Sequence, residues 1–252
     1  MVNREPIIHV RNLVKKFDDF IANDNLSFNV NPGEIFGFLG ANGAGKTTAI
    51  RILCGLSKPT SGEIKVAGFD VYNQVDSIKR NIGYMSQKFS LYEDLTVYEN
   101  IRFYGGIYGM KFGEIKILAE ELIDKLGLTE YRNKLIKSLP LGWKQKLAFS
   151  VAIFHNPKIV FLDEPTSGVD PITRRQFWEM IYEAAHNGIT VFVTTHYMDE
   201  AEYCDRVSIM VDGRIEALDT PSQLIKNYKT TDINNVFIKI ARDPRLRSKE
   251  RK

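Results

Sequence analysis

The sequence predicts an α/β protein built on a mainly parallel sheet with a helical piece set into it, and three observations carry that prediction. Apolar runs at residues 159–162, 190–194 and 207–211 are each reached through a helical segment, as a parallel sheet with crossover helices requires. The run Ile35-Phe36-Gly37-Phe38-Leu39, apolar toward both faces like a buried central strand, passes directly into a glycine-rich loop and then a helix. From about residue 88 to 155 the pattern is helical and offers no strand candidate, which marks an inserted helical subdomain.

Taken in order, residues 7–10 and 26–30 read as short strands, the second closed by the turn Asn31-Pro32-Gly33-Glu34. The central strand and its loop lead into a helix over 47–56. Pro59-Thr60-Ser61-Gly62 ends that helix in a turn, and 63–66 resumes strand character. After the helical insert and the three apolar strands, Asp212-Gly213 turns a hairpin into 214–218, and 222–228 reads as the last helix. The chain shows no internal repeat and no low-complexity stretch. Residues 1–228 are therefore expected to form one domain, with 229–252 as a C-terminal extension ending in a basic tail.

With 252 residues and 44% hydrophobic content, the chain can build its core without disulfides or metal. Cys54 and Cys204 stand in no ligand spacing and suit a reducing compartment. No uninterrupted apolar run approaches membrane-spanning length and no signal peptide opens the chain, so a soluble, cytoplasmic protein is expected. From residue 239 to 252 there are seven Lys/Arg and two Asp/Glu, more than the whole formal charge of +3. The body before this tail is slightly acidic, which argues against a nucleic-acid-reading surface. The tail itself reads as a solvated end, with contact to anionic lipid as the alternative.

Gly40-Ala41-Asn42-Gly43-Ala44-Gly45-Lys46-Thr47 matches the Walker A pattern, in which glycines let backbone N–H groups wrap a phosphate at a helix N-terminus. Lys46 is expected to meet the β- and γ-phosphates of ATP, and the Thr47 hydroxyl to hold Mg²⁺. By average composition the four fixed positions arise by chance in about one chain in a hundred, so placement between a buried strand and a helix is what makes the match informative. The strand Ile159-Val160-Phe161-Leu162 ends in two carboxylates, with Asp163 suited to Mg²⁺ and Glu164 to orienting and deprotonating the attacking water. Thr194-Thr195-His196 ends the next apolar strand, where open parallel sheets place ligand groups.

On these motifs, in this order and spacing, essentially the whole chain resembles the nucleotide-binding domain of the ABC transporter superfamily. The resemblance implies a P-loop NTPase of ABC type, with a mixed, mainly parallel sheet, an N-terminal antiparallel β-subdomain and the inserted helical subdomain. It makes Phe17, in Lys15-Lys16-Phe17, the aromatic that stacks on adenine, against the alternative of a core aromatic. Gln87, in Tyr84-Met85-Ser86-Gln87, becomes the Q-loop glutamine, with a catalytic and a metal-binding role. Ser167-Gly168-Val169-Asp170 becomes the D-loop, and His196 the switch histidine at the γ-phosphate. The implied nucleotide contacts are thus Phe17, the loop from Gly40 through Lys46, Thr47 and Thr48, and, from the other motifs, Gly142 and Asp170. Catalysis falls to Glu164, His196, Lys46 and Gln87, and Mg²⁺ to Thr47, Gln87 and Asp163.

One motif departs from the family. The signature Leu-Ser-Gly-Gly-Gln is here Leu139-Pro140-Leu141-Gly142-Trp143. In the family this segment opens a helix that contacts the γ-phosphate on the opposite subunit. Pro140 removes a hydroxyl and an N–H, and Leu141 adds a side chain, while Gly142 and the helix dipole remain. Each lost hydrogen bond to phosphate is worth about 1.5–3 kcal/mol, so the composite site is expected to be weaker unless compensated. The variant also resembles a bacterial multidrug-exporter subgroup whose ATPases work.

What the resemblance implies is an ATP-hydrolysing subunit of an exporter, peripheral on the cytoplasmic face of the inner or plasma membrane. Its partners would be transmembrane permease subunits and a second ATP-binding subunit, identical or homologous. The aromatics Tyr84, Phe89, Tyr92, Tyr98, Phe103, Tyr104, Tyr108 and Phe112 either line the groove for the membrane subunit or fill the helical core, and Glu93 and Asp94 are expected on the membrane-facing rim. Competing readings are a non-transport ABC-type ATPase, and a nucleotide-gated clamp that scarcely hydrolyses.

Overall fold

The computed structural model describes residues 5–87 and 91–242; Phe89, and the basic tail beyond Arg242, lie outside the described residues. The chain opens with a hairpin of β1 (Ile8–Phe17) and β2 (Phe20–Val30), joined at the two-residue turn Asp18-Asp19. Both strands run longer than the sequence pattern suggested. The alternation in β1 breaks at Arg11 because register irregularities lie between Val10 and Leu13 and Asn12 adopts φ 53°, and the slip turns Leu13 back into the core.

β3 (Ile35–Gly40), buried at every position, leads through the glycine loop into α1 (Lys46–Leu53), which starts one residue earlier and ends three earlier than expected. β4 (Ser61–Val66) and the two-residue β5 (Phe69–Asp70) complete an antiparallel sheet of order β2-β1-β4-β5. Two elements then appear that the sequence did not announce: α2 (Val75–Asn81), with Ile78 as its single buried residue, and β6 (Ile82–Met85). Gly83 in β6 is required by crowding, since a Cβ there would stand 2.0 Å from the Ala152 carbonyl oxygen.

The helical insert contains α3 (Val97–Ile107), α4 (Phe112–Lys125) and α5 (Leu141–Ile153), with short 3₁₀ turns between the last two. Thr96 and Glu99 form a reciprocal capping box that fixes where α3 begins. The chain then returns to the sheet as β7 (Ile159–Asp163), α6 (Pro171–His186), β8 (Thr190–Thr195), β9 (Arg206–Val211) and β10 (Arg214–Asp219). The second sheet has the order β10-β9-β3-β8-β7-β6, parallel except for the antiparallel β9-β10 edge.

α7 (Pro221–Tyr228) is not the last helix. α8 (Ile233–Ala241), capped by Asp232, follows it and packs Ile233, Val236 and Ile240 onto the core, inside the stretch expected to be an extension. Its apolar period is only nine residues long, so the sequence hid it behind the charged tail.

Strand alternation divides the core. Phe36 and Phe38 of β3, Phe161 of β7 and Phe192 of β8 face α1 and the antiparallel sheet, where Phe28 joins them with ring centroids 5.3–6.1 Å apart. Ile35, Leu39, Val160, Leu162, Val191 and Val193 face the opposite way, toward α5 and α6. With both faces covered, the sheet exposes its chemistry only at the strand ends, and β3, β7 and β8 end side by side.

Candidate functional site

Two backbone constraints shape the loop after β3. Gly43 and Gly45 adopt φ 84° and 97°, and a Cβ on Gly45 would lie 2.3 Å from the Ala22 carbonyl oxygen. The loop therefore lies flat against β2, where the buried Asn23 Nδ2 donates to the Gly45 oxygen at 3.1 Å. α1 starts at Lys46 with no side-chain cap, which leaves its first N–H groups available to an anion. Lys46 itself is folded back: its Nζ donates to the Gly40 and Ala41 oxygens at 2.8 and 3.1 Å and stands 3.3 Å from Glu164 Oε1.

The two carboxylates at the end of β7 occupy different environments. Asp163 Oδ1 accepts from Thr194 Oγ1 at 2.7 Å and from Thr47 Oγ1 at 3.3 Å. Desolvation raises its pKa above the ordinary carboxylate value, with both hydroxyls opposing that rise. Glu164 leaves the strand at φ 50°, a conformation that costs a non-glycine residue about 1–3 kcal/mol. Its N–H donates to the Thr194 oxygen and hydroxyl at 3.1 and 3.0 Å, and this anchor turns the side chain toward Lys46. Glu164 Oε2 accepts from Gln87 Nε2 at 2.9 Å and faces His196 Nδ1 at 3.0 Å.

Lys46, Gln87 and His196, three residues from three separate segments, thus converge on the Glu164 carboxylate. A cavity of about 230 Å³ beside them is lined by Asn42, Gly43, Gly45, Thr47, Thr48, Gln87 and Glu164 among others. Gly40 and Ala41 offer their carbonyl oxygens to Lys46, and the Ala44 oxygen accepts from the Gly213 N–H at 3.2 Å. Gln87 meets Glu164 rather than the Thr47 and Asp163 oxygens to which the sequence also assigned it.

Other predicted residues stand elsewhere. Phe17 is 50% exposed, which removes the core alternative, but it does not line the cavity, and Lys15 Nζ sits 4.6 Å over its ring. Its cross-strand neighbour Phe20 does line the cavity, a residue that sequence reasoning missed. The signal was the two-residue turn Asp18-Asp19, which places 17 and 20 opposite one another. Gly142, in the first turn of α5, packs against Thr173 of α6, and the Asp170 carboxylate caps α6 through the N–H groups of Ile172 and Thr173 at 3.0 Å. Neither lines the cavity at Lys46, and Leu141 is exposed beside them.

Several of the aromatics divide between roles. Tyr98 and Tyr104 pack on the main core, Tyr108 stacks on His155 with centroids 3.6 Å apart, and Phe103 and Phe112 are exposed along a groove of about 450 Å³ between α3 and α4. Glu93 and Asp94, within the helical insert, are exposed and paired with Lys144 and Lys137 at 3.4 and 2.9 Å.

No helix among the described residues is long and apolar enough to cross a membrane. The family model for ABC transporters matches residues 23–167. Over 220 residues the chain is 47% identical to the probable multidrug ABC transporter ATP-binding protein YbhF of Escherichia coli (strain K12), covering 87% of this chain and 38% of that protein. It is 36% identical to the linearmycin resistance ATP-binding protein LnrL of Bacillus subtilis (strain 168), covering 86% of this chain and 70% of that one. A solved dimeric ATP-binding cassette in a post-hydrolysis state, bound to ADP and Pi, superimposes with a TM-score of 0.77 at 27% identity, covering 84% of this chain and 98% of that one. With the matched segment running from β2 through the phosphate loop to the loop after Glu164, this chain belongs to the ABC transporter family.

Proposed function

We propose that the chain is the ATP-binding and ATP-hydrolysing subunit of an ABC transporter that exports its substrate, working as a pair of ATP-binding subunits against membrane-spanning partners. The observation that carries the proposal is the convergence of Lys46, Gln87 and His196 on the Glu164 carboxylate beside the glycine loop. Lys46, held by loop carbonyls and Glu164, is the cation poised to exchange those contacts for the β- and γ-phosphates. Releasing Lys46 frees Glu164 Oε1 to accept a proton from the attacking water, while Gln87 and His196 orient its other oxygen.

The side-chain oxygens of Thr47 and Asp163, 3.3 Å apart, are hard donors that fit Mg²⁺. When bound, Mg²⁺ supplies charge neutralisation on the transferred phosphoryl group. Thr47 and Asp163 would hold it, with Gln87 approaching from its place on Glu164. Phe17 and Phe20 would flank the base from the hairpin tip.

The remaining predicted contacts, Gly142 and Asp170, act across the dimer in this proposal. Both belong to the α5–α6 corner rather than to the cavity, so the pocket is completed by the corner of a second subunit. The dimeric cassette to which this fold is similar supports that reading. The relatives named for multidrug transport and drug resistance support export, and the apolar groove between α3 and α4 offers a docking face for the membrane subunit. The clamp alternative, motivated by Pro140 and Leu141, makes an opposite forecast for one experiment. ATP turnover by the purified chain, lost in Glu164→Gln with an ATP-bound dimer accumulating, supports hydrolysis. Equal rates in the two proteins sink it.

A further inference from the structure

Behind Glu164 and His196 lies a further buried carboxylate, which the chemistry above does not use. Glu200 follows the His196 loop and is fully buried, and its Oε1 accepts from Thr166 Oγ1 at 2.6 Å, a side chain 1% exposed in the loop that carries Glu164. A buried carboxylate is costly unless paired, and here the cation is Arg174 of α6, whose Nε stands 3.6 Å from the same oxygen. That distance is beyond hydrogen-bond reach, and both Arg174 Nε and Glu200 Oε2 lack a hydrogen-bond partner among the described residues. A sub-ångström displacement of α6 therefore separates a loose contact from a full ion pair.

The same guanidinium lies 4.2 Å over the Tyr197 ring, and that ring is 4.2 Å from His196. α6 itself begins at the exposed corner of Asp170 and Ile172, the latter 72% exposed. We infer that Glu200 is a positioning residue: it registers the His196 loop against the Glu164 loop, and through Arg174 it relays the attitude of the α6 N-terminus to that catalytic pair. The inference rests on the proposed ATP hydrolysis for its consequence, and on geometry alone for the tie.

The experiment compares wild type, Glu200→Gln, Thr166→Val, Arg174→Met and the double variant Glu200→Gln/Arg174→Met. Steady-state kcat and KM for ATP, thermal midpoint, and the His196 ring signal in nucleotide-free NMR spectra are recorded for each. The expected result is a kcat lower by about tenfold with KM changed less than about twofold in each single variant, and no further loss in the double. The His196 signal shifts in all of them, and it does so in Thr166→Val even if Glu200→Gln fails to fold. An unmoved His196 signal, additive losses in the double variant, or parallel losses in kcat and thermal midpoint overturn the inference. Absence of turnover in wild type would remove the proposed function, whereas the His196 signal still decides the tie.

Discussion

His196 Nδ1 lies 3.0 Å from Glu164 Oε2, the same oxygen that accepts from Gln87 Nε2 at 2.9 Å. One carboxylate oxygen is thus oriented from two loops while the other faces Lys46 at 3.3 Å. Such a geometry holds the Glu164 carboxylate at a fixed angle from two loops.

Removing one of the two orienting groups should leave binding largely intact and slow the chemistry. In His196→Ala, ATP turnover is expected to fall about a hundredfold, with nucleotide affinity changed by less than about threefold. Titrating fluorescent ATP binding alongside phosphate release checks this. An affinity loss as large as the rate loss would place His196 in ground-state binding instead.

Gly45→Ala tests the loop. The added Cβ would stand 2.3 Å from the Ala22 oxygen and demand φ near 97° from an alanine. Destabilisation of about 1–3 kcal/mol is expected from the backbone conformation alone, together with loss of nucleotide binding. Chemical denaturation and equilibrium binding measure the two effects, and wild-type affinity in the variant would show that the loop need not press against β2.

Gly142→Ala probes the α5–α6 corner without touching the Lys46 cavity. Its Cβ would meet Thr173 Cγ2 at 2.6 Å, and overpacking of this kind costs about 1–3 kcal/mol. Thr173→Ser deletes that methyl yet keeps the hydroxyl that donates to Asp170 at 2.6 Å. The double variant should recover most of the thermal midpoint lost by Gly142→Ala, and failure to recover would locate the crowding elsewhere.

His155 supplies a pH signature. Desolvation lowers its pKa below the ordinary histidine value, against the opposing contact with the Ile82 oxygen at 3.1 Å. The unfolded chain therefore takes up the proton first, near about pH 6.5, and the folded state loses stability as pH falls from there toward the lower folded value. In His155→Phe, which keeps a ring against Tyr108, the thermal midpoint should fall less between pH 7.5 and 5.5 than in wild type. Parallel slopes would exclude His155 as the source.

Much of the site was legible because its constraints are local. The glycines of the loop, the strand-ending Asp163 and Glu164, and His196 after β8 each sit where a short run of neighbours dictates the backbone. Phe20 was less legible, since its role follows only from the β1–β2 register. α2 and β6 were silent because one buried side chain in the first, and four residues with a glycine in the second, leave too little period to read. Glu200 gave no signal whatever, because nothing in Met198-Asp199-Glu200-Ala201 says which acid is buried.

By itself the sequence determined the glycine loop, the order of the apolar strands and the placement of two acids and a histidine at successive strand ends. Backbone conformation and side-chain alternation over a few residues settle those features. The tertiary structure alone decided which oxygen of Glu164 each partner meets, that Phe20 rather than Phe17 lines the cavity, and that Glu200 is buried between two loops and a helix. Those outcomes depend on segments far apart in the chain, brought together by a sheet packed on both faces, and the cost of burying polar groups permits them only where distant partners arrive.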